Sequence, residues 1–180
     1  MGDEFVVDTG HTWADFLATR TNVHGSAPAE WLATPEVAWR WFAEVGLAPR
    51  GGPRADDLVA VHHVREALRT VVLTRLGFPL PPGSPEPASA ADVLRRLAAS
   101  VPQDDPLVPP DSCAQALSRI VGSCAVDLAR PVLAFASCAE HVCGKVFSDR
   151  GGARQRYCGP RCATRARVRS HRGRRTADSG

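Results

Sequence analysis

Four cysteines near the C-terminus constrain this chain more than any other feature of its sequence. They form the pattern C-x4-C-x14-C-x3-C at Cys138, Cys143, Cys158 and Cys162. Two short-range pairs can bring four thiolates to one tetrahedral ion at about 2.3 Å, whereas scattered cysteines would need the whole fold to place them. Because protein ligands would fill all four positions, we expect a structural Zn²⁺ site rather than a catalytic one.

The residues around the cysteines predict a small treble-clef-like ββα zinc module. We expect residues 146–147 to form a short strand, residues 149–152 a turn, and residues 155–157 the returning strand. Pro160 stands where a first helical residue would, and good helix formers follow at residues 163–172. The second cysteine pair would then lie at the start of a helix.

Two alternatives to a four-cysteine metal site stay open at this point. His141 could replace one thiolate, since imidazole also binds zinc well. The cysteines could instead form two disulfides. The N-terminus is acidic at Asp3 and Glu4, and no apolar signal core follows it. This favours a reducing, cytoplasmic location and therefore the metal site.

The basic character of the chain belongs to its C-terminal part. The net charge is +8 from residue 138 onward and −5 before it. We interpret seven arginines as nucleic-acid-binding residues: Arg161, Arg165, Arg167, Arg169, Arg172, Arg174 and Arg175. Like charges at helical spacing repel each other, so a polyanion such as DNA is the simplest partner. A solvated tail is the alternative, since the chain contains 21 Arg and a single Lys.

The cysteine segment also carries a family pattern. Residues 138–149 contain a cysteine pair followed by Phe147 and Asp149, and residues 156–165 contain an Arg-aromatic-Cys approach to the last cysteine. This segment resembles the CGNR zinc finger. The family signature Cys-Gly-Asn-Arg reads Cys162-Ala163-Thr164-Arg165 here. An Asn amide both donates and accepts, and Thr164 does only part of that, so the departure affects base readout and leaves the metal site untouched.

Four segments in front of the finger extend the resemblance over nearly the whole chain. They read DFLATR at 15–20, EWLATP at 30–35, WFAEVGL at 41–47 and VREALR at 64–69. These look like the ABATE domain that precedes this finger in stress-induced transcriptional regulators, although the usual Asn-Thr-Arg is Ala18-Thr19-Arg20 here. The resemblance implies a DNA-binding regulator of transcription in the stress response. Its helical domain would sense a small-molecule effector, form a homodimer or contact another protein.

Apolar periodicity and helix caps predict a mainly α chain. Four helices are expected at residues 34–46, 56–77, 89–101 and 111–128. Asp56 or Asp57 would cap the second, Ser89 would open the third, and Asp111 or Ser112 would open the fourth. We predict a helical domain at 1–130, the zinc finger at 131–172 and a disordered basic tail at 173–180. No apolar run reaches the roughly 18 residues of a membrane span.

The remaining candidates concern ligand binding and catalysis. Trp13, Asp15, Arg20 and Trp41 could form a ligand pocket, although indoles more often simply pack in a core. The common hydrolase, phosphate-loop, dinucleotide and zinc-protease motifs are missing, so we expect no enzyme. The leading hypothesis is a zinc-dependent, DNA-binding transcriptional regulator. The alternatives are a protein-interaction adaptor whose arginines bind an acidic partner, and a small-molecule-binding helical domain with a purely structural finger.

Overall fold

The computed structural model describes residues 7, 9–101, 107–130, 134–148 and 155–177, with residues 172–177 described by their backbone alone. Across these residues the chain is mainly helical, with two small antiparallel sheets. The helices are α1 (Thr12–Ala18), α2 (Pro35–Glu44), α3 (Ala55–Leu76), α4 (Pro87–Ser100), α5 (Cys113–Ala129) and α6 (Pro160–Ala177). The strands are β1 (Arg20–Thr21), β2 (Ala29–Glu30), β3 (Phe135–Ser137) and β4 (Val146–Ser148). The predicted fold class is confirmed.

The four helices predicted for the N-terminal part are present as α2 to α5. Thr34 caps α2 by accepting a hydrogen bond from the Val37 N–H at 3.3 Å. Ser112 caps α5 in the same way, from the Gln115 N–H at 3.3 Å. After α3, Gly77 adopts a φ of 71°, a left-handed conformation that costs glycine little. These local signals are the ones that sequence patterns carry reliably.

Two predicted helix starts are wrong by two or three residues. α3 begins at Ala55, so the predicted capping pair 56–57 lies in the first turn. α4 begins at Pro87, because the Glu86 carboxylate accepts from the Ser89 N–H at 3.0 Å and so acts as the cap. Acidic side chains stabilise the positive end of a helix anywhere within its first turn. They therefore indicate roughly where a helix begins, but not the residue at which it begins.

The sequence does not predict α1. This helix has seven residues, and its N-cap, His11, makes no side-chain capping bond. Tertiary packing stabilises it instead, because residues 13–17 are all buried and the helix packs against α3 and α5.

One hydrophobic core is built around α3, which packs against α1, α2, α4 and α5. Its largest fully buried apolar side chains are Trp13, Phe16, Trp41, Phe42, Leu17, Leu32, Leu68, Leu73, Leu117 and Ile120. Val146 of β4 belongs to the same core, and β4 packs on α1. The zinc module is therefore packed against the helical part, and the predicted boundary at residue 130 stays a prediction.

The sheet of the zinc module uses a different partner strand from the one predicted. β3 pairs antiparallel with β4. The predicted returning strand, residues 155–157, has no strand conformation, although the Arg156 carbonyl accepts from the Ala139 N–H at 2.8 Å. The predicted pairing is wrong because the three residues of β3, which lie before the first cysteine, pair with β4 across the turn that contains Gly144. The predicted turn at 149–152 lies outside the described residues.

Helix α6 extends beyond its predicted end at Arg172 and runs to Ala177. The segment 173–177 is therefore helical rather than the start of a disordered tail, and residues 178–180 lie outside the described part. Gly173 costs a helix roughly 1 kcal/mol, but arginines on either side of it are good helix formers. Neither this helix nor another in the described ranges is long and apolar enough to cross a membrane.

Candidate metal centre and nucleic-acid interface

The structure brings the four predicted metal ligands together. The Sγ atoms of Cys138, Cys143, Cys158 and Cys162 all lie within 4.8 Å of one another. The separation is 3.7 Å between Cys143 and Cys158 and 3.6 Å between Cys158 and Cys162. A tetrahedral ion with Zn–S bonds of about 2.3 Å requires S–S separations of about 3.8 Å. The donor set and its spacing fit a closed zinc site that leaves no position for a substrate.

A tight turn between β3 and β4 holds the first cysteine pair. The Cys143 N–H donates to the Glu140 carbonyl at 2.9 Å. Gly144 follows with a φ of 67°, and a Cβ at this position would overlap the Val23 side chain. Glycine is needed here both for the left-handed backbone and for the close approach of the helical part.

The second cysteine pair flanks the first turn of α6. Pro160 begins the helix, as predicted. The Cys158 N–H donates to the Cys138 Sγ at 3.4 Å, which joins the two halves of the site. A helix N-terminus also favours a thiolate. The start of α6 is therefore part of the metal centre, and a bound ion fixes the direction of this helix.

Thiols of the metal centre lie close enough together to shift one another's pKa values. Hydrogen bonds from Cys143 and Cys158 lower the pKa of Cys138 to about 2. The bond to Cys138 raises the pKa of Cys143 to about 12 and raises the pKa of Cys158 as well. Neighbouring thiolates repel each other, so full deprotonation requires a cation among them, and binding of that cation releases the remaining protons.

The structure favours four cysteines over the two alternatives. His141 is 61% exposed, its Nδ1 lies 3.2 Å from Glu140 Oε1, and it is outside the group of four. All six cysteines are free thiols rather than disulfides. The other two, Cys113 and Cys124, are buried on α5, where burial raises the pKa of each to about 12. They are core thiols rather than ligands.

Glu140 is a site residue that the sequence does not reveal. Only 1% of it is exposed, and its Oε1 accepts a hydrogen bond from Arg169 of α6. Its Oε2 has no hydrogen-bond partner in the described part of the chain. This buried carboxylate ties α6 to the turn between the first two cysteines. An acidic residue inside a C-x4-C segment carries no pattern that could have identified this role.

The predicted nucleic-acid-binding arginines differ in their availability. Arg161, Arg165 and Arg167 are exposed. Arg161 and Arg165 share one face of α6, and Arg167 lies on the other side of the helix. We call these three exposed residues the basic surface. Arg165 also donates to Asn22 Oδ1 at 3.2 Å, whereas Arg169 is held by Glu140. The side chains of the last three, Arg172, Arg174 and Arg175, lie outside the described part of the structure.

The two departures from the CGNR signature lie next to the basic surface. Thr164 is exposed, and Ala163 is half-buried with its carbonyl accepting from Arg167 Nε at 3.4 Å. A short hydroxyl therefore stands at the exposed position where the family signature has an Asn amide.

The predicted pocket residues lie in different surroundings. Trp13 and Trp41 are fully buried within the hydrophobic core. Asp15 is also buried, and its carboxylate accepts from the Thr9 N–H at 3.1 Å. Arg20 is on β1, where its side chain is 36% exposed. The two indoles pack as core residues, and the ligand pocket stays a prediction.

Comparisons with known protein families match both parts of the chain. The ABATE family, described as "Putative stress-induced transcription regulator", matches residues 10–143, and the CGNR zinc finger matches residues 135–175. The two matches overlap at β3 and the first cysteine pair, where the zinc module packs on the helical part. No curated protein matches the chain. Because the first match covers more than half of the sequence and the second contains all four cysteines, the chain belongs to the ABATE family and carries a CGNR zinc finger.

Proposed function

We propose that this protein is a zinc-dependent, DNA-binding transcriptional regulator. One observation carries the proposal: the basic surface of Arg161, Arg165 and Arg167 is exposed at the start of α6, where Cys158 lies just before the helix and Cys162 lies in its first turn. The metal centre would thus present positive charge in a fixed orientation. The family description supports the regulatory part of the proposal.

Different residues of this chain have different roles in the proposed DNA binding. Zinc, when bound by the four cysteines, supplies a cross-link between the β3–β4 turn and α6. Arg169 is paired with the buried carboxylate of Glu140, which leaves Arg161 and Arg165 to meet phosphates through their guanidinium groups. Phosphate contacts set the position of a protein on a duplex, and base contacts give specificity. Thr164, exposed beside Arg165, is the candidate for a base contact.

We also propose that the chain is not an enzyme and that it works in the cytoplasm. Four protein ligands leave no open coordination position, so the metal has no place for an activated water or a substrate. A site of four reduced cysteines is maintained most readily in a reducing compartment.

The test is duplex affinity as a function of salt. Each phosphate contact contributes about −0.9 to the slope of log affinity against log salt concentration. The triple variant Arg161→Gln/Arg165→Gln/Arg167→Gln should therefore lower the magnitude of the slope by about 1.8, from the two phosphate contacts of Arg161 and Arg165. The control is Arg40→Gln/Arg95→Gln/Arg96→Gln, which removes the same charge from exposed positions on α2 and α4. Equal losses in both variants would mean that only total charge matters, and would favour an adaptor for an acidic protein partner.

A further inference from the structure

A cluster of charged residues lies between α3 and the β1–β2 hairpin, outside the metal centre. Arg65 and Arg69 of α3 are only 1% and 2% exposed. Together with Arg20 of β1 they surround two carboxylates, Glu30 of β2 and Glu66 of α3. We call these five residues the arginine cluster.

Each carboxylate of the cluster is already fully engaged. Glu30 binds the guanidinium of Arg65 through both of its oxygens. Glu66 Oε1 lies 3.0 Å from Arg65 Nε. Glu66 Oε2 lies 3.0 Å from Arg69 Nε and 3.4 Å from Arg20 Nη1. Three guanidinium groups thus share two carboxylates, which leaves one surplus positive charge among these five residues. The ring of His62 also faces Glu30, with Nε2 3.8 Å from Oε2.

The surplus charge is placed where an anion would stabilise it. A buried charge without full compensation costs free energy. Burial lowers the pKa of Arg69 despite its Glu66 partner, and the charges of Arg65 and Arg20 add to this lowering. The cluster is open at Arg20, whose side chain is 36% exposed. A guanidinium has five N–H donors, so Arg20 can bind an anion while it keeps its contact with Glu66.

The charge of the cluster selects the class of anion. The surplus is a single charge, which a monocarboxylate neutralises and a phosphate dianion would reverse. Arg20 and Glu30 are cross-strand partners in the β1–β2 register, so a ligand at Arg20 lies next to the carboxylate of Glu30. We propose that the exposed edge of the arginine cluster, at Arg20, binds a small organic monocarboxylate. This proposal does not depend on nucleic-acid binding.

The experiment measures thermal stabilisation of the zinc-loaded full chain by sodium acetate, with sodium phosphate and with sodium chloride at equal ionic strength as comparisons. Acetate should raise Tm to a plateau above the chloride reference. Arg20→Gln should raise the half-saturating acetate concentration about ten-fold, because one charge-assisted bidentate contact is lost. Glu30→Gln should lower it, since the positive surplus increases. Arg40→Gln, an exposed arginine of α2, is the charge-matched control and should change nothing.

Three outcomes would overturn the proposal. One is no stabilisation of the unmodified chain by acetate beyond that by chloride, a result that does not depend on whether any variant folds. Another is that Arg20→Gln and Arg40→Gln have the same half-saturating acetate concentration, and that the value for Arg20→Lys does not lie between those of the unmodified chain and Arg20→Gln. The third is stabilisation by phosphate with none by acetate.

Discussion

Gly144 lies where the zinc module meets the helical part of the protein. A Cβ there would overlap Val23 and approach His24 Cδ2 at 3.0 Å, and the φ of 67° disfavours any side chain. Gly144→Ala should therefore lower the free energy of unfolding by about 2–4 kcal/mol, from backbone strain plus overpacking. Urea unfolding of the zinc-loaded protein, followed by circular dichroism, measures this loss.

The control for this change is Gly159→Ala. This glycine is also adjacent to a cysteine ligand, but a Cβ there would meet open space and its φ is not left-handed. The expected change is less than about 1 kcal/mol. Equal effects of the two substitutions would contradict the close approach of Val23 to the turn.

Glu140 and Arg169 form the second residue pair with a specific expectation. Each single substitution by Ala should lower the free energy of unfolding, because a buried carboxylate loses its charged partner or the guanidinium loses its acceptor. Arg169 is 46% exposed, so solvent screens part of the interaction. A double-mutant cycle should give a coupling energy of about 1–2 kcal/mol. A coupling near zero would mean that Glu140 does not hold α6.

Glu66 links α3 to β1 and makes the stability of this contact depend on pH. Burial alone raises the pKa of Glu66, but the charges of Arg69 and Arg65 more than offset this and hold it below its ordinary value of 4.5. A carboxylate with a lowered folded-state pKa stabilises the protein above its unfolded pKa and loses this contribution as pH falls. The stability advantage of the unmodified protein over Glu66→Gln should therefore be full above about pH 4.5 and shrink below it.

Urea unfolding of both proteins across this pH range measures the difference. Acid also removes zinc from the cysteines, but it does so in both proteins, so the difference between them isolates Glu66. A difference that stays constant with pH would show that Glu66 carries no lowered pKa.

The elements differ in how far the sequence could predict them. α2 and α5 carry a capping residue and an apolar face, and both are local signals that predict their starts correctly. α1 is stabilised by packing on α3 and α5 rather than by its own residues, so no local pattern marks it. The pairing of β3 with β4 depends on the tertiary position of three residues before Cys138, which spacing does not encode.

The candidate site also has features that the sequence predicts and features that it does not. The spacing of the four cysteines predicts the metal ligands completely, because the ion itself imposes that spacing. The seven predicted residues are all arginines, yet Arg169 is paired with the buried carboxylate of Glu140, whereas Arg165 bonds to the amide oxygen of Asn22. A helical wheel places Arg169 on the same face of α6 as Arg161 and Arg165. It cannot identify a buried hydrogen-bond acceptor on a neighbouring turn. Only the packed structure shows which of these arginines is paired with a buried carboxylate.

The turn of the β1–β2 hairpin connects the helical part of the protein to the zinc module. The His24 N–H donates to the Val142 carbonyl at 3.3 Å, and Asn22 Oδ1 accepts from Arg165 of the basic surface. The strands of the same hairpin carry Arg20 and Glu30 of the arginine cluster. The hairpin therefore contacts the zinc module at one end and the charged face of α3 at the other.

Because the two parts are in contact, we predict that loss of zinc destabilises the helical part as well as the finger. Cys158→Ser should reduce the zinc content well below about one ion per chain, and it should also lower the thermal midpoint of the helical part, since Val146 contributes to the common core. Cys124→Ser, which changes a buried thiol outside the metal centre, should keep the zinc. Metal analysis together with thermal melting by circular dichroism measures both effects. Full zinc content in Cys158→Ser would contradict the four-cysteine site.

Sequence-selective DNA binding by a zinc-oriented basic helix is tested most directly with native genomic duplex fragments. Zinc-loaded protein is mixed with a pool of such fragments, and the bound fraction is sequenced at roughly 50 and 200 mM salt, a range over which backbone contacts weaken strongly. We expect a shared sequence to be enriched, to survive the higher salt, and to be lost in the Arg161→Gln/Arg165→Gln/Arg167→Gln variant. Uniform binding that disappears at the higher salt would contradict the proposed regulator and reduce the basic surface to a nonspecific patch.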